Sequence, residues 1–232
     1  MLLFAGNWPA SLPNIDNPAP NFKFPPCDLA GGDYLADARS LRQERPIMHR
    51  LFVALRPPPA LRRLLLATQG GVRGARWQDD DQLHLTARFV GAVERPVAED
   101  VAAALAGVTA QVPPLHLSGV GRFGAGEAGR RGGGALWAGV SPREPLAALH
   151  RKIDQALARV GLPREGRAFL PHVTVARLPR HGIDEGEVAQ WLARHAGLAS
   201  EPFDASYLVL YESQLGHEGA TYEAVARWPL AR

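Results

Sequence analysis

The chain has 232 residues, 46% of them hydrophobic, which is enough for one large domain or two small lobes with a sizeable core. No apolar run approaches the roughly 18 residues of a membrane span and no basic-then-apolar leader opens the sequence, so a cytoplasmic protein without a membrane partner is expected. The single Cys27 excludes an internal disulfide and a multi-cysteine metal site, and the formal charge of +3 comes mainly from arginine, which suits phosphate contact but is equally what a GC-rich genome produces.

Residues 1–47 carry Asn-Pro-Ala-Pro, Phe-Pro-Pro and Gly-Gly-Asp with no sustained helical or strand period. They read as an over-long gene start or a disordered extension, with Met48 as the real beginning of a domain over 48–232. From there His49–Arg56 predicts a strand stopped by Pro57-Pro58-Pro59, then a helix over Ala60–Gln69. Asp79-Asp80-Asp81 predicts a solvated turn rather than a metal cluster. Leu83-His84-Leu85-Thr86-Ala87-Arg88-Phe89 alternates as a strand that Gly91 is expected to end, and Val97–Val108 predicts a second helix.

Pro113-Pro114 breaks that helix, and strands are expected over Leu115–Phe123 and Ala135–Val140. The glycine-rich segment between them, containing Arg130 and Arg131, lacks the lysine and Ser/Thr of a phosphate-binding P-loop and reads as a long hairpin loop. Pro142–Gly161 is a clear helix, with Leu146, Leu149, Ile153 and Leu157 on one face. A second His/Thr strand follows in Phe169–Arg177, then a helix over Glu185–Ala196 and two strands, Phe203–Gln214 and Thr221–Trp228.

The same unit thus occurs twice, with one His-x-Thr strand in each copy. The order predicts an α+β protein of two pseudo-symmetric lobes, each an antiparallel sheet with outer helices, and an active-site cleft between them. Strand side chains repeat with period two, so His84 shares a face with Thr86, and His172 with Thr174. Two histidines facing one substrate can divide into general base and general acid, and threonine hydroxyls can donate to phosphate oxygens. A single His-x-Thr is weak evidence, since a histidine in a sheet is more often a packed residue; two copies at equivalent places are stronger. Metal binding is the competing specific reading, but the segments offer no carboxylate at ligand spacing. A serine or cysteine nucleophile lacks its motif.

His-Leu-Thr-Ala-Arg-Phe-Val-Gly and Pro-His-Val-Thr-Val-Ala-Arg resemble the paired motifs of the 2H phosphoesterase superfamily, specifically the RNA 2′,3′-cyclic phosphodiesterases once called 2′-5′ RNA ligases. The resemblance runs from about Met48 onward. It includes Leu51–Leu55, Gly119–Phe123, Leu136–Val140, Arg167–His172, Ser213 and Gly219–Tyr222. It implies metal-independent hydrolysis of RNA or oligonucleotide 2′,3′-cyclic phosphate ends to 2′-phosphomonoesters, with 2′-5′ ligation as the reverse reaction. By the same resemblance His84 is the general acid, His172 the general base, Thr86 and Thr174 hold phosphate oxygens, Arg177 clamps the phosphate and Phe89 stacks on the base. No cofactor is implied, nor an obligate protein partner, and a monomer is expected. The alternatives are a phosphoesterase acting on a small cyclic nucleotide or ADP-ribose derivative, and a non-catalytic RNA-binding protein.

One conflict stands inside this reading. Arg177 and Phe89 each lie five residues after a histidine, and an odd offset on a flat strand points to the opposite face, so both need a bulge or twist to reach the site. Arg88 has the histidine parity and is expected, on parity alone, as a second positive charge near the phosphate.

Overall fold

The computed structural model describes residues 47–124, 133–216 and 219–230, so the N-terminal stretch and the arginines at 130 and 131 lie outside the described residues. The strands are β1 (Met48–Leu55), β2 (Arg76–Trp77), β3 (Leu85–Glu94), β4 (His116–Phe123), β5 (Gly134–Ser141), β6 (His172–Leu178), β7 (Tyr207–Gly216) and β8 (Gly219–Pro229). The helices are α1 (Pro59–Leu66), α2 (Arg95–Ala106), α3 (Arg143–Arg159) and α4 (Glu185–His195). Element types and order match the sequence expectations, with the two-residue β2 as the addition.

All pairings are antiparallel, in the order β4-β5-β6-β3-β1-β7-β8, and β2 pairs with part of β6. The sheet is continuous, but the two His/Thr strands touch at one register pair only, Leu85 with Val173. The expected lobes are therefore the two halves of one sheet, β3-β1-β7-β8 and β6-β5-β4, joined at a narrow seam. They are not consecutive halves of the chain. The β4–β5 hairpin, which follows the first His/Thr strand in sequence, lies beside the second; β7 and β8, which follow the second, lie in the first strand's half of the sheet, beyond β1.

One face of the sheet is covered by the helices. Leu61 and Leu65 of α1, Val101 and Leu105 of α2, Leu146, Leu149, Ile153 and Leu157 of α3, and Val188 and Trp191 of α4 form one buried core with Leu51, Val53, Leu85, Val173 and Leu210. The stripe on α3 is the one its sequence spacing predicts, and Gly161 follows at φ +85°, a conformation favoured by glycine after a helix end. The opposite face carries a smaller cluster of Phe52, Ala54, Val209 and Tyr211 and forms the cleft side.

Two expectations are corrected. Gly91 does not end β3: at φ +93° it carries the strand past an irregularity, because Met48–Leu51 of β1 continue to pair with Gly91–Glu94. The aspartates do form a turn, a short 3-10 segment over Asp80–Gln82 capped by Asp79, but they are not merely solvated. Asp80 accepts from Arg62 Nε at 2.8 Å and Asp81 from Arg56 at 2.9 Å, tying α1 to the approach to β3.

Candidate active site

His84 and His172 are set by equivalent local structure. Each lies at or just before the start of its strand, and the Nδ1 of each is 2.7 Å from the carbonyl oxygen two residues earlier, Gln82 for His84 and Leu170 for His172. A carbonyl only accepts, so Nδ1 carries the proton and Nε2 is the nitrogen left for chemistry. The two imidazoles are thereby held in the same tautomer by the same device.

Beyond the histidines both strands bulge at the same offset. Thr86 pairs with Ala54 and Arg88 with Val53, leaving Ala87 as the extra residue; Thr174 pairs with Trp137 and Ala176 with Leu136, leaving Val175 extra. A bulge restarts the alternation. In β6 Val173, Val175, Ala176 and Leu178 are buried while His172, Thr174 and Arg177 remain accessible. In β3 Leu85, Ala87 and Arg88 are buried, and Thr86 and Phe89 are not. Arg177 and Phe89 therefore join the histidine face, resolving the parity conflict, and both line one cleft of about 450 Å³ with His84, Thr86, His172 and Thr174.

The same bulge corrects the expectation for Arg88. Its Nε donates to Asp154 Oδ1 at 2.9 Å, and its two terminal nitrogens donate to the carbonyls of Phe89 and Pro163. Although it borders the cleft, its charge is committed to α3. Burial works against ionisation of Asp154, but the Glu165 backbone N–H and the Arg88 guanidinium outweigh it and hold the carboxyl below its usual range. One turn earlier, buried His150 lies with Nδ1 2.7 Å from the Ala87 carbonyl and its ring stacked on Phe169, centroids 4.6 Å apart. Thus α3 holds the β3 bulge at two points, the Ala87 carbonyl and the Arg88 guanidinium.

Each catalytic candidate also has an aromatic surround. The His84 ring lies 4.8 Å from Phe52, 5.0 Å from Tyr222 and 6.3 Å from Tyr211; the His172 ring lies 4.9 Å from Phe123 and 6.1 Å from Trp137. Burial among these rings pushes His84 down to about 4; the Gln82 carbonyl opposes the shift, and the charge of Arg177 adds to it. His172 is lowered for the same reasons, burial first, with Leu170 opposing and Arg177 contributing. Among the described residues no group of three or more His, Cys, Asp or Glu side chains could hold a metal. Among them, too, no helix is long and apolar enough to cross a membrane.

Sequence reasoning missed the aromatic surround, although Phe52, Phe123, Trp137 and Tyr222 all lie in segments that carried the family resemblance. It gave His150 no role. Ala87 and Val175 offered no local signal.

Comparison with known proteins agrees with this architecture. The family model described as the 2′-5′ RNA ligase superfamily matches residues 57–216. A Geobacillus stearothermophilus protein named RNA 2′,3′-cyclic phosphodiesterase is 30% identical over 156 residues, 66% of this chain; the match spans 47% of that protein, about half its length. A Methanocaldococcus jannaschii protein of the same name is 23% identical over 181 residues, 77% of this chain and 99% of its own. Among solved structures, E. coli LigT complexed with 3′-AMP superposes with a TM-score of 0.61 at 21% identity, covering 80% of this chain and 100% of that one. A Thermus thermophilus protein, TT0787, gives 0.59 at 23% identity, covering 78% and 97%.

Proposed function

The chain belongs to the 2′-5′ RNA ligase superfamily, and from that premise we propose that it hydrolyses 2′,3′-cyclic phosphate ends of RNA or oligonucleotides to 2′-phosphomonoesters, without a metal. The observation that carries this reading is the pair of histidines held in one tautomer by equivalent carbonyls, with both side chains lining one cleft. The names of the relatives support the substrate.

In this mechanism His172 Nε2 takes a proton from water, the water oxygen bonds to phosphorus, and the bond from phosphorus to the ribose 3′ oxygen breaks on the opposite side. His84, protonated, delivers its proton to that leaving oxygen, and the two histidines exchange protons with solvent before the next turnover. Thr86 and Thr174 donate to the phosphate oxygens and Arg177 supplies the cation, so charge developing on phosphorus meets donors already in place. Phe89, half-exposed in the cleft, stacks on the base. A 5′ hydroxyl attacking in place of water gives a 2′-5′ linkage through the same groups.

The test is single-turnover hydrolysis of a short oligoribonucleotide ending in a 2′,3′-cyclic phosphate, with EDTA present and the product isomer identified. We expect a 2′-phosphate from the wild-type chain. His84→Ala and His172→Ala should each lose about 10²–10⁴-fold, the usual worth of one proton-transfer group. Activity that EDTA abolishes and a divalent metal restores would overturn the metal-free mechanism.

A further inference from the structure

A second cavity, of about 530 Å³, lies on the other side of His84. Its wall nearest the site is made by Tyr211 and Tyr222, whose rings stand 6.3 and 5.0 Å from the His84 ring, so the two spaces are separated by little more than the thickness of these side chains. At the near end is Arg56, close enough for its charge to act on both His84 and Tyr211. Tyr207 and Arg227 line the cavity with them, the Arg227 guanidinium 4.9 Å from the Tyr207 ring centre.

This arrangement is unnecessary for chemistry at the cyclic phosphate. Cations beside tyrosine rings are what a single-stranded nucleic acid needs, since guanidinium groups meet phosphates and aromatic faces meet bases. Two aspartates, Asp81 and Asp204, also line the cavity; Asp81 at 2.9 Å and Asp80 at 3.3 Å both accept from one terminal nitrogen of Arg56, and a guanidinium with five N–H groups keeps donors to spare after those bonds. Arg227 is exposed and held against a ring rather than a carboxylate in the contact described above.

We propose that this cavity is the subsite for the nucleotide immediately 5′ of the one that bears the cyclic phosphate, with Arg227 and Arg56 taking the connecting phosphodiester and Tyr207 the base. The inference rests on the reading of the His84–His172 cleft as the site for a cyclic-phosphate end. If His84 serves the 3′ oxygen of the terminal ribose, the chain continuing from that ribose has this cavity directly beside it. The protein then distinguishes an RNA end from a free cyclic mononucleotide by contacts outside the reacting centre, binding energy that can be realised at the transition state.

The test compares kcat/KM for a 2′,3′-cyclic mononucleotide and for a dinucleotide carrying the same cyclic end, in the wild-type chain, Arg227→Gln and Tyr207→Ala. The dinucleotide should be preferred, and each substitution should lower its kcat/KM by about tenfold, the size of a lost charge-assisted contact for Arg227→Gln and of a lost stacking contact for Tyr207→Ala, while leaving the mononucleotide unchanged. Replacing the connecting phosphate by an uncharged methylphosphonate should cost the wild type at least as much as Arg227→Gln does, and should cost Arg227→Gln less than the wild type, because only the Arg56 contact is left to lose. No preference in the wild type, or an equal fall on both substrates, overturns the subsite. If neither substrate is turned over, the failure belongs to the proposed activity; anisotropy of a labelled cyclic-ended dinucleotide then decides the subsite, which fails if Arg227→Gln binds as the wild type does.

Discussion

Both candidate histidines are pushed toward the neutral form, His84 down to about 4, by burial first, with the charge of Arg177 adding to it. The proposed reaction needs one of them protonated, so in the free protein the productive state holds a single shared proton and titrates as a coupled pair. The kcat/KM profile should therefore be a bell with its maximum below about pH 6.5, the ordinary histidine value. An anionic phosphate between the rings favours imidazolium, so the alkaline limb of kcat should lie at higher pH than that of kcat/KM. Rate profiles at low and saturating substrate check both statements, and a rate rising monotonically with pH removes the acid–base pair. At this scale the sequence was informative: His84, Thr86, His172 and Thr174 were legible because residues two apart share a face before any bulge intervenes. The rings that set the pKa values were not, since Phe52, Tyr211 and Tyr222 reach His84 from three different strands.

The bulges in β3 and β6 decide which arginine is left open to the cleft. Arg177 is turned into the cleft and Arg88 is turned toward α3. The two should respond oppositely to the same change. Arg88→Met strands Asp154 without its cation and should cost about 3–5 kcal/mol of stability, the usual penalty for breaking a buried pair from one side. Adding Asp154→Leu should recover part of it. Arg177→Met should leave denaturant unfolding nearly unchanged while cutting turnover, because it is exposed and serves the proposed phosphate contact. Parallel denaturation and rate measurements separate these outcomes. Helices and strands were readable from the apolar periodicity, as in α3, whereas the bulges were not. A bulge is a property of two strands, set by how Val53 and Ala54, or Leu136 and Trp137, take up register, and Ala87 and Val175 look like ordinary strand residues.

Across the whole molecule each half of the sheet draws strands from both copies of the repeated unit, and one helix-covered core spans them. The protein should unfold in a single cooperative transition, with tryptophan fluorescence and far-UV circular dichroism giving coincident curves, rather than lobe by lobe. The buried histidines add a pH dependence of definite sign. Their native pKa values lie below the unfolded value, so the unfolded chain binds more protons, and their contribution is present above about pH 6.5 and lost as pH falls toward 4. A melting temperature that rose on acidification through that window would contradict the burial described for them. The exchanged strands also impose an order of events during synthesis. Both histidines have been translated once residue 172 is made, yet β1 still lacks its neighbour β7 and presents an unpaired edge to every other chain nearby. A ribosome paused between β6 and β7 thus holds both catalytic candidates but an unfinished floor beneath His84, and the pocket can form only after β7 and β8 have been made.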